Sequence, residues 1–220
     1  MKDKRFIPFV FVSIAILVLS AIANQVAPAN AQATVAPTAP AAPPASKMRW
    51  DTLSVTVKDN KPFLAPGGID SASANDGSYI TIVGNGTFGP GTTDPVTGGG
   101  DWATFDANNV PTGKGKFTVT AFNGFDWAPG QLPPPSVIVD SIGNNADASS
   151  GVAGLRIAFT NADASAAGMG FLIISCHLPV GAPPSIVEGL VVSKGMTLFY
   201  NPTHIVPGID QGRTSFTVMH

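Results

Sequence analysis

A chain of 220 residues carrying 12 Lys and Arg against 14 Asp and Glu has a formal charge of −2, so it has no basic surplus with which to neutralise a phosphate backbone, which argues against nucleic acid as a partner. Charged residues make up only 12%, while glycine and proline number 24 and 20, a balance that disfavours long helices and favours short strands joined by tight turns. Its single cysteine, Cys176, excludes an internal disulfide, leaving core burial or assembly to supply stability.

Lys2, Lys4 and Arg5 precede an almost wholly apolar run from Phe6 to Ala23, and small-residue cleavage patterns follow at Ala21-Ile22-Ala23 and Ala29-Asn30-Ala31. This layout predicts a secretory signal over residues 1–33 and a secreted or cell-envelope, extracytoplasmic destination. Left uncleaved, the same segment is a single-pass anchor, and it is the one predicted route to a membrane. Residues 34–48 are rich in Pro and Ala, the composition of an extended, disordered linker. Residues 49–220 then have the length of one domain.

Along that domain, Trp50 to Lys58 alternates Leu53, Val55 and Val57 with Thr52, Ser54 and Thr56, the period of a half-buried strand. A Pro/Gly-rich passage near Lys61–Gly68 and a polar one from Ser71 read as loop. Ser78 to Val83 reads as a strand, Gly84-Asn85-Gly86 as a hairpin turn, and Gly98-Gly99-Gly100 as a flexible turn. That glycine triplet lacks the following Lys-Ser/Thr of a phosphate loop, and no cofactor is predicted. Strands follow at Asp101–Asp106, Gly115–Phe125, Ser136–Ile142 and Val152–Thr160. Next comes Met169–Leu178, apolar in both registers and predicted as a central strand shielded on both faces. Ile186–Ser193, Met196–Tyr200 and Arg213–Met219 complete an all-β domain of roughly ten strands, an antiparallel sandwich or closed barrel.

Within a strand, neighbouring side chains point to opposite faces, so Cys176 and His177 do not form a thiol dyad. Glu188, the only glutamate, lies in an apolar strand where a carboxylate is either paired or shifted in pKa. If the sheet curls, Glu188, His177 and Arg156 converge in an interior pocket, where Glu188 acts as base and Arg156 as anion clamp. Trp102, Phe105, Phe125 and Trp127 flank glycine- or proline-rich loops, and are candidate ligand-binding rings. His177, His204 and His220 lack ligand spacing, and no metal is predicted.

The segments Val96-Thr97-Gly98-Gly99-Gly100, Ser175-Cys176-His177-Leu178, Glu188-Gly189, Ser193-Lys194-Gly195 and Arg213-Thr214 resemble those of uncharacterised secreted β-domain proteins, for which no activity is known. The Gly-Gly pair is also similar to a turn in dirigent and allene oxide cyclase barrels, from which no residue is carried over. The resemblance implies a domain type without a mechanism. Two functions are therefore expected to compete. The first is an exported, non-enzymatic β domain that binds a small ligand or a cell-surface polymer, or has a structural role. The second is a small barrel enzyme acting on an apolar metabolite.

Overall fold

The computed structural model describes residues 46–202 and 212–220, which belong to one compact unit. The predicted signal, most of the predicted linker and His204 lie outside the described residues. Among the described residues no helix is long and apolar enough to cross a membrane.

The fold is all-β. Its strands are β1 (Lys47–Lys58), β2 (Lys61–Pro66), β3 (Asp70–Ser73), β4 (Tyr79–Phe88), β5 (Thr97–Phe105), β6 (Pro111–Ala128), β7 (Val139–Asp140), β8 (Ala148–Asn161), β9 (Ala166–Cys176), β10 (Gly189–Lys194), β11 (Thr197–Phe199) and β12 (Thr214–Met219). A 3-10 turn, Asn145–Asp147, precedes β8. β1 takes in Lys47 and Met48, the last two residues of the predicted linker, and Met48 is buried.

The strands form one mixed sheet in the order β11-β10-β9-β8-β6-β5-β4-β1-β2-β7, with β12 joining β1 to β8 and β3 lying along β4. Among the described residues only the β2–β7 pairing is parallel. Because β12 pairs with both β1 and β8, the ladder β1-β4-β5-β6-β8 returns on itself around a core. It is not a regular barrel. β8 hands its edge from β12 at Ser149 to β9 at Gly151, and β4 hands its edge from β3 at Ile82 to β1 at Asn85.

The inward faces behave as alternation requires: Ala153, Leu155, Ile157 and Phe159 of β8 are buried with Leu172 and Ile174 of β9. The outward face of β9 is different from the sequence expectation. Met169, Phe171 and Ile173 are 59%, 45% and 40% exposed, so the strand is shielded on one face only, although β8 and β10 flank it on both edges. An antiparallel sheet wrapped around one core buries one side of each strand. Two-sided apolarity here is an exposed stripe, not a second buried face.

Both glycine motifs are also corrected. Gly84 and Gly86 lie inside β4, and Gly98, Gly99 and Gly100 lie inside β5; neither set is a turn. Glycine is required there for space. A Cβ on Gly86 would come 2.2 Å from the Thr97 carbonyl oxygen and 2.7 Å from the Trp50 indole nitrogen, and one on Gly98 would come 3.0 Å from the same ring. The bare strands let the fully buried Trp50 pack against them. The passages near Lys61–Gly68 and from Ser71, expected as loops, contribute β2 and β3. The hairpin into β2 turns at Asp59 and Asn60, with φ of 50° and 58°, the positive pair that a two-residue turn of the first primed type needs. Of the predicted strand Ser136–Ile142, only Val139–Asp140 pairs.

Candidate functional site

Between the end of β6 and the start of β8, residues 129–147 form a strap across the outer face of β1. Pro133, Pro134 and Pro135 have no amide protons to offer, so this segment cannot add a full strand. Side chains and single contacts hold it instead. Ser141 donates from both its amide (3.0 Å) and its hydroxyl (2.7 Å) to the Leu64 carbonyl. The Asn145 amide donates to the Pro133 and Ile138 carbonyls at 2.6 and 3.0 Å, and Gln131 bridges Val180.

Beneath the strap is a cavity of about 370 Å³ whose apolar wall includes Leu53, Val55, Leu64, Leu132, Ile138 and Leu178. Its polar wall is formed by Asp140, His177, Glu188, Arg213, Thr214 and Ser215, with Cys176 beside them. The segments Ser175-Cys176-His177-Leu178, Glu188-Gly189 and Arg213-Thr214 thus meet at one place.

Glu188 ties this wall together. It stands just before β10, where Gly189 at φ 116° turns the chain, so it is not on the β10 face with Leu190 and Val192. Its Oε2 accepts the His177 amide at 2.5 Å, and its Oε1 accepts the Thr214 amide at 2.7 Å. The Thr214 hydroxyl lies 3.2 Å from Oε1 and donates at 2.8 Å to the Ser175 carbonyl. One carboxylate therefore joins the end of β9, the approach to β10 and the start of β12. Burial raises its pKa, opposed by the His177 and Thr214 amides and by the charge of Arg213. Burial also pushes the Cys176 thiol well up, with Glu188 adding to it, so a thiolate nucleophile is disfavoured at this site.

On the strap side, Asp140 accepts the Ile142 amide at 2.8 Å, and burial raises its pKa against that bond, the Gly143 amide and the field of Arg49. Arg49 is itself engaged with the fully buried Asp51, Nε and Nη2 each reaching a carboxylate oxygen at 2.7 Å. Asp51 stands opposite Ser215 in the β1–β12 register. Ser215 is 8% exposed, and its hydroxyl has no partner among the described residues.

The predicted interior triad does not assemble. Glu188 and His177 reach the same cavity, joined through the His177 backbone amide, whereas Arg156 is exposed on the outer face of β8 with its guanidinium 5.6 Å from the Phe171 ring. A bulge in β6 beside β8 does not change this, since Arg156 alternates with the buried Leu155 and Ile157. The four candidate rings also separate. Trp102 is buried in the core, its indole N–H donating to the Lys116 and Thr160 carbonyls at 3.0 Å each, with the Lys194 ammonium 4.3 Å above the ring. Phe105 stacks on Tyr79 at 4.7 Å, and Phe125 packs on Phe88 and Phe216 at 5.4 and 4.9 Å. Trp127 borders an open groove of about 610 Å³ together with Gln131, Asn145 and Asp147, and the buried Trp102 reaches the wall of another, of about 560 Å³, beside Asp101 and Asn161.

Asp140, Ser215 and the strap's Leu132 and Ile138 are not singled out in the sequence, and Arg213 is named there only within the Arg213-Thr214 segment. The available signal was the strap itself, a connection longer than the roughly 12–15 residues beyond which structureless loops are usually functional. No family model, curated protein or solved structure matches this chain.

Proposed function

We propose that the chain is an exported β domain that binds a small, largely apolar ligand beneath the strap. The observation that carries this reading is the 370 Å³ cavity, apolar over most of its wall and polar at a few convergent side chains, the usual composition of a small-molecule site. Binding is favoured over catalysis by the state of Glu188. Both of its oxygens accept amide protons, so it is committed to holding β9, β10 and β12 together and is poorly placed to take a proton from a substrate.

The test is a thermal-shift screen of small apolar compounds on the full chain, with Leu132→Trp as a variant that fills the cavity. A ligand present at about 100 times its Kd adds about 2.7 kcal/mol of apparent stability. The expected result is a rise in Tm with at least one compound that disappears in Leu132→Trp. No rise with any compound, or a rise unchanged by the tryptophan, overturns the reading.

The groove beside Trp127 favours a second reading, adhesion to a cell-surface polymer through a ring flanked by polar side chains. Trp127→Ala then releases the protein from cell-wall polysaccharide. Unchanged retention removes this reading and leaves the first intact.

A further inference from the structure

We infer that the outer face of β8, β9, β10 and β11 docks on the same face of a second copy of the chain, making a two-layered sheet about a two-fold axis. The strand register sets five apolar side chains on that face: Met169, Phe171 and Ile173 of β9, Val191 of β10 opposite Ile173, and Leu198 of β11 opposite Ser193. Leu198 is as exposed as the three residues of β9. An antiparallel sheet with one face on the core normally turns polar residues outward. The neighbouring β6 does so, with Thr118, Thr120 and Asn123 exposed, whereas β9 does not. Scattered exposed apolar residues are ordinary, but a contiguous set on one sheet face marks an interaction surface.

Charge selects a second copy over other occupants. Among the described residues Arg156 is the one charged side chain that β8–β11 present on this face, since Lys194 turns its ammonium over Trp102. Its guanidinium lies over the Phe171 ring at 5.6 Å, across the apolar face. Asp126 of β6 is exposed on the same side, opposite Val152, whereas Arg156 is opposite Ala121. The two charges are thus four residues apart along β8, about 13 Å, too far to pair within one chain. A two-fold axis crossing the strands at Gly154, midway between Val152 and Arg156, brings Arg156 of each copy to Asp126 of the other. Gly124 and Gly154, opposite each other at that level, carry no side chains to hold the sheets apart. A lipid surface would leave both charges unpaired in an apolar medium. With strands about 4.8 Å apart and about 20 Å long, β6 and β8–β11 offer roughly 500 Å² on each copy. A total of about 1,000 Å² is where specific interfaces begin, so the dimer is weak and the face is bare in dilute solution.

Sedimentation equilibrium of the full chain, from about 1 µM to about 500 µM, is expected to show monomers passing to dimers with a Kd in the micromolar range. Arg156→Asp and Asp126→Arg should each weaken the dimer about tenfold or more, and the two together should restore it to within about threefold of wild type. Phe171→Ser, at an exposed ring, should leave the monomer folded and weaken the dimer as well. A chain monomeric throughout, association that these variants leave unchanged, or charge reversals that fail to rescue one another overturns the inference. So does a monomeric chain that binds phosphatidylcholine vesicles and loses that binding in Phe171→Ser, since the face then belongs to a lipid surface.

Discussion

The two faces of β1 are packed in opposite ways. On the inner face, Trp50 is fully buried against β4 and β5, where Gly84, Gly86 and Gly98 have no side chains to compete with the indole. On the outer face, Leu53 and Val55 look into a cavity under a proline-rich strap. Inside, each volume is matched by a neighbour's missing volume, as in a close-packed interior. Outside, the cover has few amides and is pinned at scattered points, so it leaves room. The same strand thus serves as a wall of the core and as the floor of the candidate site, and the glycines of β4 and β5 are what allow its tryptophan to face the core.

The contrast can be broken most severely from the inside. Trp50→Ala should cost about 3–5 kcal/mol, the range for truncating a large buried aromatic, read from urea melts. Gly86→Val should be comparably damaging, because its Cβ would overlap the Thr97 carbonyl, a backbone atom that cannot rotate away. A loss of less than 1 kcal/mol from either would mean that the indole is not wedged as described.

At the junction between core and cavity, Glu188→Gln should cost about 1–3 kcal/mol. A neutral amide can accept one of the His177 and Thr214 amide protons, but it presents its own N–H to the other. Unaltered stability would show that those bonds are not what holds β10 to β12.

On the cavity side the expected effect is smaller and depends on pH. Burial raises the pKa of Asp140, so its charged form is disfavoured in the folded state above that raised value. The penalty is relieved as pH falls through the folded value, and it is gone below the ordinary aspartate range. Asp140→Asn carries no such penalty. Wild type should therefore gain stability relative to Asp140→Asn as pH falls from neutral into the mildly acidic range; a difference that is constant or moves the other way would contradict the burial of that carboxylate. Smallest of all, Phe171→Ser on the exposed outer face of β9 should change stability by no more than about 0.5 kcal/mol. A loss of several times that would place the ring in a packed layer.

Alternation made the core strands legible. Ala153, Leu155, Ile157 and Phe159 could be assigned to one face from their spacing alone, whereas Cys176 and His177, at and just beyond the end of β9, both reach the wall of the strap cavity. Periodicity failed where the same residue type had two meanings. Phe171 and Ile173 look buried because they are apolar, yet exposure depends on whether another layer covers the sheet, which local sequence does not encode. The glycines of β4 and β5 look like turns because conformational freedom is their commonest use, whereas here they provide room for a ring some 35 to 50 positions upstream. Of the site, Glu188 and His177 were visible as polar residues in apolar surroundings. Asp140 and Ser215 were not, since they become conspicuous only once the strap and β12 bring them to the same wall.

Cys176 has a practical consequence of its own. It is the chain's one thiol, 1% exposed on the inner side of β9, paired to Gly151 of β8, and its ionisation is suppressed by burial. A thiol-specific reagent can reach it through the strap cavity or when the β8–β9 ladder parts from the core, so labelling under native conditions that a cavity-filling Leu132→Trp does not slow works as a clock for that opening.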